Sequence, residues 1–207
     1  MKHVLVLLLT ILLVFAFAGC ESTYTNTLDI QCSNENVRVI VDGEASDSYS
    51  FSSSTLNNMP MTKYKYIDFE SKDDSLHNVK IRTFQLASTV NATYNLSLKL
   101  VDANHYVVDF LRVAILIDGE LRVYKYDNLF EEIYDKENDP DSLLHFHSRS
   151  EVFNDVAVTL SADEAKEITV FYWIEEAELY DRNGKRYTGW SDKSYDADPI
   201  YLSLDIH

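Results

Sequence analysis

His145 and His147 stand two residues apart, one on each side of Phe146. On an extended strand that spacing turns both imidazoles to one side. Two neutral ring nitrogens held close together, with a carboxylate beside them, are a donor set for zinc or copper. Asp139 and Asp141, just upstream, are the carboxylates nearest to hand. The same spacing also suits a plainer arrangement, in which the histidines flank an inward-turned Phe146 on an exposed edge. Asp135, Glu137, Asp139 and Asp141 recur at every second position, a rhythm suited to calcium. An EF-hand loop would require glycine at its sixth position and glutamate at its twelfth. Pro140 and Phe146 stand there instead, so that motif is excluded and only a looser oxygen cage for Ca2+ remains. Asp192, Asp196 and Asp198 form a second acidic stretch with the same meaning.

A different chemistry is offered near the C-terminus, where Tyr187, Trp190, Tyr195 and Tyr201 crowd together. Aromatic rings present flat apolar faces with polar edges, which suits a glycan or peptide ligand. Fourteen tyrosines in the chain also fit simple β-propensity, because aromatics fill pleated surfaces well. No H-E-x-x-H, P-loop, G-x-S-x-G or G-x-G-x-x-G run occurs, so the common motif routes to an enzyme are closed. No residue is assigned a catalytic role. An enzyme hidden here would be a metal-dependent hydrolase without a recognised motif.

The elements that must carry these residues read as strands. Val37 to Val41 is apolar and β-branched, and Asp42-Gly43 after it is a strong signal for a two-residue hairpin. The expected partner runs from Ser48 to Ser52, and a polar loop follows to Pro60. Tyr64 to Phe69 and Val79 to Leu86 are further strand candidates, separated by the charged turn Ser71 to Ser75. Tyr94, Leu96, Leu98 and Leu100 alternate with Thr93, Asn95, Ser97 and Lys99, the period of a strand with one buried and one wet face. Val107 to Ile117 is apolar on both faces except for Asp109 and Arg112, whose odd spacing sends them to opposite faces. Asp118-Gly119 closes a hairpin onto Leu121 to Tyr126.

Leu129, Phe130, Ile133 and Tyr134 fall at helical spacing, so Asn128 to Lys136 is the expected short helix. Glu137 to Ser142 reads as a loop. Val156, Val158 and Leu160 resume the strand rhythm. Ser161-Ala162-Asp163-Glu164 matches a capping box, and the short gap before the next strand limits it to a single helical turn. Lys166 to Glu175 is a strand buried on both sides, Asn183-Gly184 a tight turn, and Ile200 to Ile206 a terminal strand. Roughly nine or ten strands with one short helix predict an all-β fold, an antiparallel β-sandwich of jelly-roll or immunoglobulin-like type. No fixed-period repeat argues for a propeller or solenoid.

The address is written at the start. Lys2 precedes an apolar run from Val4 to Ala18, about fifteen residues and short of the roughly twenty that span a bilayer. A positive n-region, a greasy h-region and a small residue before the end describe a secretory signal. Phe17-Ala18-Gly19-Cys20 resembles the bacterial lipobox, with Phe17 where leucine is usual. The resemblance implies cleavage before Cys20 and a diacylglycerol thioether on its sulfur, with palmitate as the acyl group. Two acyl chains anchor stably where one barely holds. The expected organisation is therefore a lipoprotein signal peptide at 1–19, a short lipidated tether at 20–27 and one β-sandwich domain at 28–207, extracytoplasmic and held to the bacterial cell membrane. With Cys20 acylated, Cys32 has no partner for an intramolecular disulfide and reads as an inert buried thiol.

The whole sequence carries 18 basic against 34 acidic residues, a formal net charge of −16. Loss of the leader removes Lys2 and no acid, so the balance only becomes more negative. Such a chain is a poor partner for nucleic acid, which selects clustered Lys and Arg.

Asp109 to Ile115, Leu160 to Val170 and Tyr172 to Glu175, in that order, resemble the jelly-roll domain of the camelysin and biofilm-matrix fibre proteins of Gram-positive bacteria. That family's late strand carries a Trp-aliphatic-Glu-Gly run; Glu176 replaces the glycine here. The resemblance implies a surface or matrix protein with a jelly-roll core. It does not carry over camelysin's protease label, since no matching metal motif is present. Three functional expectations follow. The first is a non-catalytic, lipid-anchored surface protein whose sandwich binds a protein, peptide or glycan. The second is a structural or matrix subunit assembling by strand addition. The third is the motif-free, metal-dependent hydrolase.

Overall fold

The computed structural model describes residues 26–52, 61–72, 79–103, 108, 110–126, 142–175 and 200–207. Its strands are β1 (Thr27–Cys32), β2 (Val37–Val41), β3 (Glu44–Ser46), β4 (Ser48–Ser52), β5 (Met61–Thr62), β6 (Lys80–Ser88), β7 (Ala92–Asp102), β8 (Leu111–Ile117), β9 (Glu120–Lys125), β10 (Leu144–His145), β11 (Glu151–Leu160), β12 (Ala165–Glu175) and β13 (Tyr201–Ile206). They form the two layers of an all-β sandwich. One sheet runs β11-β7-β13-β1-β4, the other β10-β9-β8-β12-β6-β2-β3, with β5 added beside the end of β12. Pairing is mostly antiparallel, but β1 and β13 run parallel in the middle of the first sheet.

The period-two reading of β7 is what builds the core. Tyr94, Leu96, Leu98 and Leu100 are buried, and they meet Leu28, Ile30, Leu202 and Leu204 of the same sheet and Val39, Leu86, Val113 and Val170 of the other in one apolar cluster. Burying a leucine or valine contributes roughly 1.5–3 kcal/mol, so this row is the main source of stability. Both Asp-Gly turns form as expected. Asp42 and Gly43 have φ of 52° and 85°, Asp118 and Gly119 of 54° and 79°, the left-handed pair that a type I′ hairpin needs.

Strands β8 and β12 are buried on both faces for a reason outside the sandwich. Ala114, Phe171 and Trp173 point away from the main core into a second apolar cluster, roofed by Tyr64, Ile67 and Phe69. The Phe69 ring lies 5.2 Å from Phe171 and 6.0 Å from Trp173. Segment 61–72 is thus a strap over the outer face. The carboxylate of Glu175 fastens it, accepting the Tyr64 amide at 3.0 Å and the Trp173 indole N–H at 2.9 Å.

Three local expectations are corrected. Tyr64 to Phe69 is not a strand: Tyr64–Tyr66 is a turn of 3-10 helix, because Glu175 and the Trp173 face offer Tyr64 better partners than a ladder does. The partner of β2 is β3, not Ser48 to Ser52. A two-residue turn leaves Val41 opposite Glu44, and after Asp47 the chain crosses to the other sheet, where β4 pairs with β1. The capping box makes no helical turn. Asp163 has φ of 62° and gives its amide to the Ser88 carbonyl at 3.1 Å, which stops any helix at its second residue. The first strand also begins at Thr27, with Asn26 fully buried, so the last two residues of the expected tether belong to the fold. Val107 to Ile117 is shorter as a strand, beginning at Leu111. The expected helix at 128–136, the turn at Asn183-Gly184 and Asp109 lie outside the described residues.

The sandwich has two unlike ends. At one, short connections at 33–36, 89–91, 118–119 and 161–164 join consecutive strands, β8 to β9 within one sheet and the other three from one sheet to the other. At the other, β4, β7, β9 and β12 finish and β1, β6, β8, β11 and β13 begin.

Candidate functional site

Two strands cross between the sheets, one on each flank. On the first flank β3 passes through Asp47 into β4. On the second, β10 leads through 146–150 into β11. The second crossing leaves a gap. β10 covers only Tyr124 and Lys125 of β9, and among the described residues no strand covers Glu120–Val123 or the outer side of β11.

Between these two edges lies a groove. Its wider lobe encloses about 440 Å³ and is lined by Tyr124, Arg122, His145, His147, Asn154 and Asp155, among others. Its narrower lobe, about 200 Å³, continues along Ile117, Val156 and Val158 to Asp118 and Lys166. Glu120 and Arg122 stand where the two meet.

The groove is polar, with charges matched in pairs. Lys166 Nζ lies 2.6 Å from Asp118, and Arg122 Nε 2.9 Å from Glu120. The Glu120 carboxylate holds Arg122 above its ordinary range, while burial pushes the Tyr124 phenol up. Tyr124 stacks at 5.0 Å on Phe153, and both rings are buried. Their faces are therefore spent on the core and offer no platform to a ligand. The backbone has more to give. Phe146 donates its amide to the Lys125 carbonyl at 2.8 Å, so the polar groups of Lys125 point away from β8. Alternation along the strand turns those of Val123 and Leu121 the same way, towards the groove.

His145 and His147 both reach this groove, and both are exposed. Phe146 between them is buried and packs 6.1 Å from Tyr126, the arrangement of an exposed edge with its phenyl turned in. His147 Nε2 lies 3.7 Å from Glu151. Among the described residues no three His, Cys, Asp or Glu side chains converge to hold a metal ion; Asp139 and Asp141 lie outside them. So do Asp135, Glu137, Asp192, Asp196, Asp198, Cys20, Tyr187, Trp190 and Tyr195. Tyr201 is half-buried on β13, two strands from β11, and donates a short hydrogen bond to Asp29. That carboxylate raises its phenol and ties it to the first sheet, apart from the groove. Cys32 is buried with its thiol pushed up to about 11, as an inert thiol would be. No described helix is long and apolar enough to cross a membrane.

Sequence reasoning passed over Glu175, Asp118 and Lys166. The first ends an apolar run directly before Glu176, and what sets it apart is the Tyr64 and Trp173 N–H groups it accepts in the fold; the other two are ordinary in sequence and become groove residues only through pairing.

Neither a protein-family model nor a curated protein matches the chain. Among solved structures, the chain is similar to part of a GH31 α-xylosidase from Xanthomonas citri, at 9% identity and a TM-score of 0.26. The match covers 82% of this chain and 16% of that enzyme, and at that score it carries no argument about activity.

Proposed function

We propose that this is a lipid-anchored, extracytoplasmic binding protein whose β-sandwich takes up an extended polypeptide in the groove between β9 and β11. The observation that carries the reading is the pair of strand edges, of β9 and of β11, that no described strand covers and whose residues line one polar cleft. An added strand gains main-chain hydrogen bonds from such an edge, with side-chain pockets supplying selectivity. A glycan reading finds less support, because the aromatic rings at the cleft, Tyr124 and Phe153, are buried against each other in the core. The anchor is proposed on the lipobox-like run ending at Cys20.

The test is to screen the full detergent-solubilised chain against a displayed random-peptide library and a glycan array. Peptides with alternating side-chain preferences should be captured. Leu121→Pro removes one groove-facing amide without taking a bond from the β8 ladder, since proline is tolerated on edges. It should weaken capture by at least about tenfold and leave the circular-dichroism spectrum unchanged. Glycan capture alone, or peptide capture indifferent to Leu121→Pro, overturns the reading. Concentration-dependent oligomers that Leu121→Pro dissolves would identify the added strand as a second copy, the matrix-subunit case. Incorporation of a palmitate analogue, lost in Cys20→Ser, tests the anchor separately.

A further inference from the structure

The position of Thr27 in the fold decides more than where the domain starts. Asn26 is fully buried, its Oδ1 accepting the Ile200 amide at 2.9 Å, and the Thr27 amide reaches the Ile200 carbonyl at 3.0 Å. The chain is therefore clamped at this point. Thr27 lies opposite Tyr201 and Ser52, and Tyr201 opposite Asp102. It enters at the end of the sandwich away from the four short turns. Between Cys20 and Asn26 there are six peptide steps, which reach at most about 20 Å even when fully extended. The strand β7, Ala92–Asp102, runs the length of the domain, roughly 35 Å at strand rise.

We infer that the domain stands on the membrane by the end where Thr27 enters, with the turns at 89–91, 118–119 and 161–164 pointing outwards. This rests on the lipid anchor proposed above. The tether is too short for the sandwich to swing free, and a net charge of −16 opposes laying its side on an anionic leaflet. The groove then runs along the membrane normal. Its His145 and His147 lobe lies near the lipid, and its Asp118 and Lys166 mouth opens outwards, where an incoming polypeptide arrives first.

Two dye positions on one strand test this. Val101 near the lower end of β7 and Val90 just beyond its upper end are both exposed, at 54% and 41%. Val101→Cys and Val90→Cys, each labelled in the acylated full chain, keep a single reactive thiol, because Cys20 is capped and Cys32 is buried. After reconstitution into phosphatidylglycerol–phosphatidylethanolamine vesicles carrying a rhodamine headgroup acceptor, energy transfer from position 101 should exceed that from position 90 by about twofold or more, given the strand's length. Equal transfer means the domain lies on its side, and greater transfer from position 90 means it is inverted; either overturns the orientation. Absence of palmitate-analogue label, with no transfer from either dye, removes the anchor and the orientation together. Label present with equal transfer removes the orientation alone.

Discussion

The two flanks of the sandwich solve the same problem differently. Each has a chain segment that leaves one sheet and joins the other. On the β3–β4 flank three residues pair with β2 before the crossing and five pair with β1 after it. Only Asp47 bridges the gap, held by Arg38 at 2.7 Å and by the Cys32 amide, which donates to its carbonyl at 2.8 Å. On the β10–β11 flank two residues pair before a longer crossing at 146–150. The register of β11 against β7 then shifts twice, around Phe153. β10 runs parallel to β9 and joins it only at its last two residues, so Glu120–Val123 is left without a strand partner on that side among the described residues. The register shifts of β11 are of a kind that bends a strand away from its neighbours. On the closed flank β3 pairs with β2 directly from the Asp42-Gly43 turn, whereas on the open flank β10 meets only the end of β9 and the groove lies beside the residues before it.

That contrast breaks most visibly in binding. Leu121→Pro on the open flank should cost at least about tenfold in peptide capture, the loss expected for about 1.4 kcal/mol of edge hydrogen bonding. Ala45→Lys on the exposed strand of the closed flank should leave capture unchanged. Equal losses would mean that the ligand does not use the groove.

Stability offers the next comparison. Val39 on the closed flank and Val156 beside the groove are each about 1% exposed. Replacing either by alanine removes similar apolar volume, at roughly 1–3 kcal/mol. Val39→Ala should sit towards the upper end of that range, because its cavity is sealed between full strands. Val156→Ala should cost less, since the groove wall relaxes or admits water. Urea unfolding of the two variants reads the difference, and a larger loss at Val156 would show the open flank to be the tighter one.

Cys32 marks the closed flank with a pH signature. Its thiol titrates at about 11 in the fold against 9.0 for an ordinary cysteine, mainly through burial. The folded state therefore holds its proton more firmly than the unfolded chain. The stability gained is whole below pH 9 and is lost as pH rises towards 11. Cys32→Ala should flatten the fall of stability over that window relative to the wild type, while the two chains run parallel below it. Parallel curves throughout would mean that the thiol is not desolvated. The smallest effect is expected at Arg38 and Asp47, whose side chains are 39% and 67% exposed. Asp47→Asn should cost at most about 1 kcal/mol, and less in high salt. The corner is held by pairing and by the Cys32–Asp47 backbone bond, with the charge pair adding little.

Particular elements explain how much of this could be read in advance. β7 and β13 were legible because one face meets the core and the other is more exposed, and a two-residue period records that directly. The Asp-Gly turns were legible because positive φ at both residues is a demand on the chain itself. Ser48 to Ser52 was legible as a strand, yet its partner was not: a polar edge strand carries nothing that names the sheet it joins. Tyr64 to Phe69 looked like a strand because aromatics at alternate positions suit either a pleat or a strap lying over one. Of the candidate site, the two histidines were visible through their spacing. Their neighbours Arg122, Asp155 and Glu151 were not, because they come from other strands.

Local patterning alone thus determined the composition of the fold, its all-β class, the alternation that fills its core and the turns that reverse the chain. Those properties depend on residues a few positions apart, where sterics and hydrophobic period act without reference to anything distant. Tertiary structure decided which sheet each strand joined, where β10 met β9 and so where the groove opened, and at which end of the sandwich Thr27 came to rest. Each of those is an outcome of competition between surfaces far apart in sequence, settled by how much apolar area and how many backbone hydrogen bonds one pairing gains over another.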